Sequence, residues 1–191
     1  MAKHETTVNL CDVNNSCLII IDVQAKLSSS IPEKVISRLR KNTDILLKAA
    51  NQLNVPVITT AQYPKGLGPI EDFITNQIND SAKHFDKTCF SCLGADQLAE
   101  HLKQINKKQI ILTGIEAHIC VLQSAIEFIA EGYEVFVVTD AIASRKSTSY
   151  ETALLRLNQA GSSLLNTESV SFEWLRDAAH SEFKVLSKLI V

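Results

Sequence analysis

Hydrophobic residues in this chain fall into two patterns: short dense runs, and longer stretches where they recur every three or four positions. Cys17-Leu18-Ile19-Ile20-Ile21 is a continuous apolar run rich in β-branched residues, which predicts a central strand covered on both faces. Val55–Thr60, Gln109–Thr113 and Val135–Val138 predict three more strands, and Ser163–Leu165 a short last one. Between them, Pro32–Leu53 places Val35, Leu39, Leu46, Ala50 and Leu53 at helical spacing. Ile70–Ile78, Ala95–Ile105, Val121–Glu131 and Ser149–Ala160 also predict helices, the last two stopped by Gly132 and Gly161. Glu168–Val191 predicts a helical end with Phe183, Leu186 and Ile190 toward the core. Gln62–Pro69 predicts a loop, with two Pro and two Gly in eight residues. Lys83–Cys92 fits either a short strand or a loop.

Strands alternate with helices throughout. That order predicts an α/β fold of three layers, α-β-α, with a mainly parallel sheet of five or six strands. The 191 residues suit a single domain, 1–191, with a sizeable core. Hydrophobic residues make up 46% and charged residues 21%, the balance of a globular protein in water. The net charge is −2 with Lys and Arg dispersed, which argues against nucleic-acid and membrane partners. The polar stretch Met1–Leu10 has no apolar core of signal-peptide length. The cysteines are Cys11, Cys17, Cys89, Cys92 and Cys120, an odd number without a framework, which predicts a reducing, cytoplasmic location.

Chemistry concentrates at strand ends. Asp22 follows the first apolar run, and Cys120 lies between the strand at 109–113 and the helix from Val121. In an open parallel sheet, ligands bind at the strands' carboxyl ends, and a helix amino end favours a thiolate. With Lys87, the two make a plausible nucleophilic set. A carboxylate takes the thiol proton, an ammonium stabilises the charges, and sulfur attacks a carbonyl carbon. Taken singly, each has an ordinary explanation: Asp22 as a cap, Lys87 as a solvated charge, Cys120 as a small buried hydrophobe. Cys89-Phe90-Ser91-Cys92 has a C-x-x-C spacing, but no second pair completes a zinc site.

Several segments, in order and spacing, resemble the isochorismatase-like cysteine hydrolase superfamily, which also contains the nicotinamidases. They are Leu18–Gln24, Lys87–Ser91, Gly114–Val121, Gly132–Val135 and Asp140–Arg145. Gln62–Gly68 resembles the subgroup of isochorismatase domain-containing proteins. The resemblance implies a catalytic Asp22, Lys87 and Cys120. It also implies a non-proline cis peptide joining Ile115 and Glu116, and an oxyanion site formed by the backbone N–H groups of Glu116 and Cys120. Gln62, Tyr63 and His118 are candidates to line the substrate pocket. Ala117 stands where the motif often has Thr. The nicotinamidase metal ligands have no counterpart among His4, His84, His101, His118 and His180, so no metal and no cofactor are expected.

The implied function is metal-independent hydrolysis of a small amide or related C–N bond through a covalent acyl-enzyme. The alternatives are isochorismatase-type vinyl ether hydrolysis, or a catalytically quiet interaction protein on the same fold. The expected partners are a small-molecule substrate and further copies of the chain, in a homo-oligomer.

Overall fold

A computed structural model describes residues 10–190. Met1–Asn9, which include most of the polar leading stretch and His4, lie outside the described residues, as does Val191. The elements run β1 (Ser16–Ile21), α1 (Ala25–Ser28), α2 (Glu33–Gln52), β2 (Val57–Gln62), α3 (Pro64–Leu67), α4 (Asp72–Thr75), β3 (Lys83–Lys87) and α5 (Leu98–Ile105). They continue with β4 (Gln109–Ile115), a π-helical turn (Ala117–Val121), α6 (Leu122–Ala130), β5 (Glu134–Ala143), α7 (Ser147–Gln159), β6 (Ser163–Leu165), α8 (Thr167–Leu175) and α9 (Phe183–Ile190).

The six strands form one sheet in the order β3-β2-β1-β4-β5-β6, and every neighbouring pair is parallel. The dense run of β1 has a direct physical outcome. Leu18 and Ile20 enter the core under α2, α8 and α9, while Cys17, Ile19 and Ile21 enter the core under α5, α6 and α7. Both faces are covered, so both sets of alternating side chains are apolar. Trp174 on α8 is buried in the first core, and its indole N–H donates to Ser16 Oγ at 3.0 Å.

Five segments differ from the pattern-based expectation. Lys83–Cys92 divides into strand β3 and a 3₁₀ turn at Cys92–Gly94. The first four residues of β3 are exposed or half-buried and only Lys87 of the strand is buried, because β3 is an edge strand. β5 extends through Thr139-Asp140 to Ala143, with a register break opposite Leu112 and Gly114. The strand predicted over 135–138 therefore covers only part of β5. Asp140 Oδ1 accepts from the Thr167 amide and hydroxyl at 2.9 and 2.8 Å, fixing the start of α8. The carboxyl-terminal helix is broken at Arg176, which has φ of 61°, leaving α8 and α9. The helix expected over 70–78 contracts to α4. The loop at 62–69 contains the single turn α3, with Tyr63 in the left-handed region before it.

Candidate active site

β1 and β4 are neighbours in the middle of the sheet, so the residues after them converge. Asp22 directly follows β1 with φ of 53°, a conformation that Asp adopts more readily than most residues. Its N–H donates to Thr60 O at 3.1 Å, tying the turn to β2. Gly114, near the end of β4, has φ of 120°, and a Cβ there would collide with the backbone of Ile21. Only glycine lets β4 pass this close to the end of β1.

Asp22 and Lys87 meet two strands apart. Lys87 Nζ donates to Asp22 Oδ2 at 2.6 Å, and both side chains are fully enclosed. Thr60 Oγ1 donates to Asp22 Oδ1 at 2.7 Å. Lys87 also donates to Gln62 Oε1 at 2.8 Å, Phe90 O at 3.1 Å and Cys89 O at 3.4 Å. A buried charge needs this degree of pairing and hydrogen bonding to persist. Burial works against the ammonium, but Asp22 and the nearby thiols outweigh it and raise the Lys87 pKa.

Cys120 occupies the π-helical turn after β4 and is 6% exposed. Asp22 and Lys87 are both close enough to its thiol to act on its charge. Burial pushes the Cys120 pKa up to about 12, and the Asp22 carboxylate adds to the push; Lys87 opposes both without prevailing. Burial and the Asp22 carboxylate thus act against the charged sulfur that Lys87 and a helix end favour. The lysine charge is already paired with Asp22 at 2.6 Å.

Around the thiol, the peptide joining Ile115 and Glu116 is cis. Among the described residues the Glu116 N–H has no acceptor, while Glu116 O accepts from Ile119 N at 3.0 Å and Val121 N at 3.3 Å. The Glu116 side chain pairs with Arg145, Nε to Oε1 at 3.1 Å.

The three expected pocket residues are placed differently. Gln62 touches the ion pair through Lys87, and its Nε2 donates to Thr88 O at 2.7 Å. Tyr63 is 53% exposed, its N–H donates to Lys87 O at 2.7 Å, and its ring covers Gly66. His118 has Nδ1 2.9 Å from Ser144 Oγ and 4.0 Å from Glu116 Oε2, and borders a cleft of about 290 Å³ beside α6 and α7. A larger cleft of about 800 Å³ lies along α2 and the 67–73 segment and includes none of Asp22, Lys87 and Cys120. Convergent chemistry rather than cavity size therefore marks the site.

Sequence reasoning did not single out Thr60 as an Asp22 partner, nor the role of Gln24. The Gln24 carboxamide accepts from Gln62 N at 2.8 Å and donates to Gln62 O at 3.1 Å, fastening the end of β2. Cys92 is also at the site: its N–H donates to Ser124 Oγ at 2.9 Å, and Ser124 Oγ donates to Cys120 O at 2.6 Å. All five cysteines are free thiols. Among the described residues, no three His, Cys, Asp or Glu side chains gather as metal ligands.

Residues 16–169 match the family model of the isochorismatase domain, and the chain belongs to that family. It is 38% identical to isochorismatase domain-containing protein 2 of Xenopus laevis over 181 residues, covering 93% of this chain and 84% of the relative. The MAR1 ribonuclease structure from Caenorhabditis elegans superposes with a TM-score of 0.89 at 34% identity, covering 95% and 92% of the two chains. The Escherichia coli YcaC structure, described as an octameric hydrolase of unknown specificity, superposes with a TM-score of 0.87 at 28% identity, covering 95% and 89%.

Proposed function

We propose that this protein is a metal-independent cysteine hydrolase that cleaves a small amide or related C–N bond through a covalent acyl-enzyme. The family supports hydrolysis. The observation that carries the finer reading is the sealed contact of Lys87 with Asp22 at 2.6 Å, with the Cys120 thiol beside it.

Because burial and the Asp22 carboxylate favour the protonated thiol, attack and proton transfer are coupled. As the Cys120 sulfur bonds to the carbonyl carbon, its proton moves to Asp22 and the carbonyl π electrons move to oxygen. The oxyanion is met by the backbone N–H groups of Glu116 and Cys120. Collapse breaks the C–N bond, and Asp22 delivers the proton to the leaving nitrogen. Water then attacks the thioester, again losing its proton to Asp22, and the acid departs as the thiol re-forms. Lys87 stays charged throughout and holds Asp22 in place, and Gln62 and Thr60 orient the pair. Tyr63 and His118 act at the rim rather than on the reacting atoms.

The reading extends to a single domain over residues 1–191 that needs no cofactor. The octamer named for YcaC supports assembly into a homo-oligomer. Five free thiols suit a reducing compartment such as the cytoplasm. A net charge of −2 offers little to an RNA backbone, so a small molecule is the better substrate. The test is a screen of small amides followed by Cys120→Ser on any amide that is turned over. The proposal predicts loss of nearly all turnover with the fold retained. Wild-type turnover by Cys120→Ser would favour vinyl ether chemistry, and no turnover of any amide by the wild type would favour a quiet interaction protein.

A further inference from the structure

The segment leaving β5 grips the nucleophile turn at two points. Ser144 Oγ meets His118 Nδ1 at 2.9 Å. Arg145 meets the Glu116 carboxylate three times: its N–H at 3.0 Å to Oε2, and its Nε at 3.1 and 3.2 Å to Oε1 and Oε2. The Glu116 side chain is 9% exposed whereas Arg145 is 55% exposed, so Arg145 reaches in from the surface to a carboxylate that is almost enclosed. Glu116 is thereby fixed from two sides. Its carbonyl is held by the turn and its side chain by Arg145, which leaves its N–H as the free group.

We propose that Arg145 is a positioning residue that aims the Glu116 amide at the substrate oxyanion and cancels the charge beside it. The inference rests on the covalent reading above. Two physical effects converge. Charge-assisted hydrogen bonds to both carboxylate oxygens restrict rotation of Glu116, and an oxyanion donor works only when its geometry is set before reaction. An unneutralised carboxylate on the donor residue would also repel the developing oxyanion through a poorly screened medium. Arg145 removes that repulsion without touching substrate. Its place in the fold depends on the unexpectedly long β5, whose pairing of Ala143 with Ile115 sets residues 144 and 145 beside the turn.

Two reactions at Cys120 separate this role from a general structural one. Acetylation by p-nitrophenyl acetate forms an S–C bond, releases p-nitrophenolate, sends the thiol proton to Asp22 and passes through an oxyanion. Alkylation by iodoacetamide displaces iodide at a saturated carbon and forms none. Both rates are read on full-length Arg145→Met whose circular dichroism matches wild type. Acetylation should fall roughly 10- to 100-fold while alkylation is unchanged, and Arg145→Lys, which restores the cation, should recover part of the loss. Wild-type acetylation by Arg145→Met, or an equal fall in both reactions, overturns the proposal. If Arg145→Met does not fold, Arg145→Lys is read in the same way: a selective acetylation deficit supports the role, and equal rates overturn it. Failure of wild-type Cys120 to acetylate at all would instead defeat the covalent reading, and the role of Arg145 with it.

Discussion

Lys87 Nζ stands 2.6 Å from Asp22 Oδ2, with neither side chain reached by solvent. The two charges come from opposite ends of one three-strand segment of the sheet, β3-β2-β1, so the contact exists only once that sheet is assembled. Breaking a buried pair from one side leaves an uncompensated charge and typically costs about 3–5 kcal/mol. Lys87→Met should therefore destabilise strongly, and adding Asp22→Asn should restore part of the loss. Urea denaturation of the two single variants and the double variant checks this. Strict additivity would mean that the pair carries no coupling.

The upward shift of the Cys120 thiol has a kinetic consequence. Burial and Asp22 put the Cys120 pKa at about 12, so the thiolate fraction rises about tenfold per pH unit across the accessible range. Iodoacetamide labelling of Cys120, followed by peptide mass spectrometry, should climb without a plateau from about pH 7 to about pH 10. A free cysteine levels off near its ordinary value of about 8.5. A plateau below about pH 8 would show a thiolate already formed at neutrality.

Stability should share this alkaline sensitivity. Cys17, Cys92 and Cys120 are each raised to about 12, chiefly by burial. An acid whose folded pKa is raised binds more protons folded than unfolded between its two pKa values. Stability is then fully present below the unfolded value, about 9, and falls as pH rises toward the folded one. The slope is at most about 1.4 kcal/mol per pH unit for each thiol. Lys87, also raised, adds a loss in the same direction above its unfolded value of about 10.5. Melting temperature should be flat from about pH 6 to about pH 8 and drop beyond about pH 9; a melting temperature that rises with pH in that region would contradict these assignments.

Gly114 is the backbone requirement behind the convergence. A methyl group there meets the Ile21 carbonyl, and the φ of 120° is one that L-residues avoid. Gly114→Ala should abolish soluble expression or lower the melting temperature severely, whereas Gly132→Ala, where a Cβ meets nothing within 4 Å, should cost much less. Equal effects of the two would show that the close approach of β4 to β1 is not the constraint.

The central strands were legible because burial on both faces leaves no room for polar residues, as in Leu18–Ile21. Asp22 and Cys120 were legible because parallel strands bring their carboxyl ends together. Lys87 was harder: edge strand β3 has little apolar signal, and the family resemblance rather than periodicity singled it out. The Arg145–Glu116 contact and the Thr60 hydroxyl were not legible. Both depend on where a neighbouring strand ends, and β5 runs five residues past its last dense apolar position. The burial of Cys120 was not legible either: local sequence shows a helix end and a lysine, not the enclosure and the Lys87–Asp22 pair that raise the thiol's proton affinity.

The most direct test of the account is to quench turnover of an identified amide substrate and map the mass of every cysteine peptide. The account predicts the substrate's acyl group on Cys120 and on no other cysteine, with its formation slowed by orders of magnitude in Asp22→Asn. Substrate consumption with no acyl group on Cys120, together with undiminished turnover by Cys120→Ser, would contradict it.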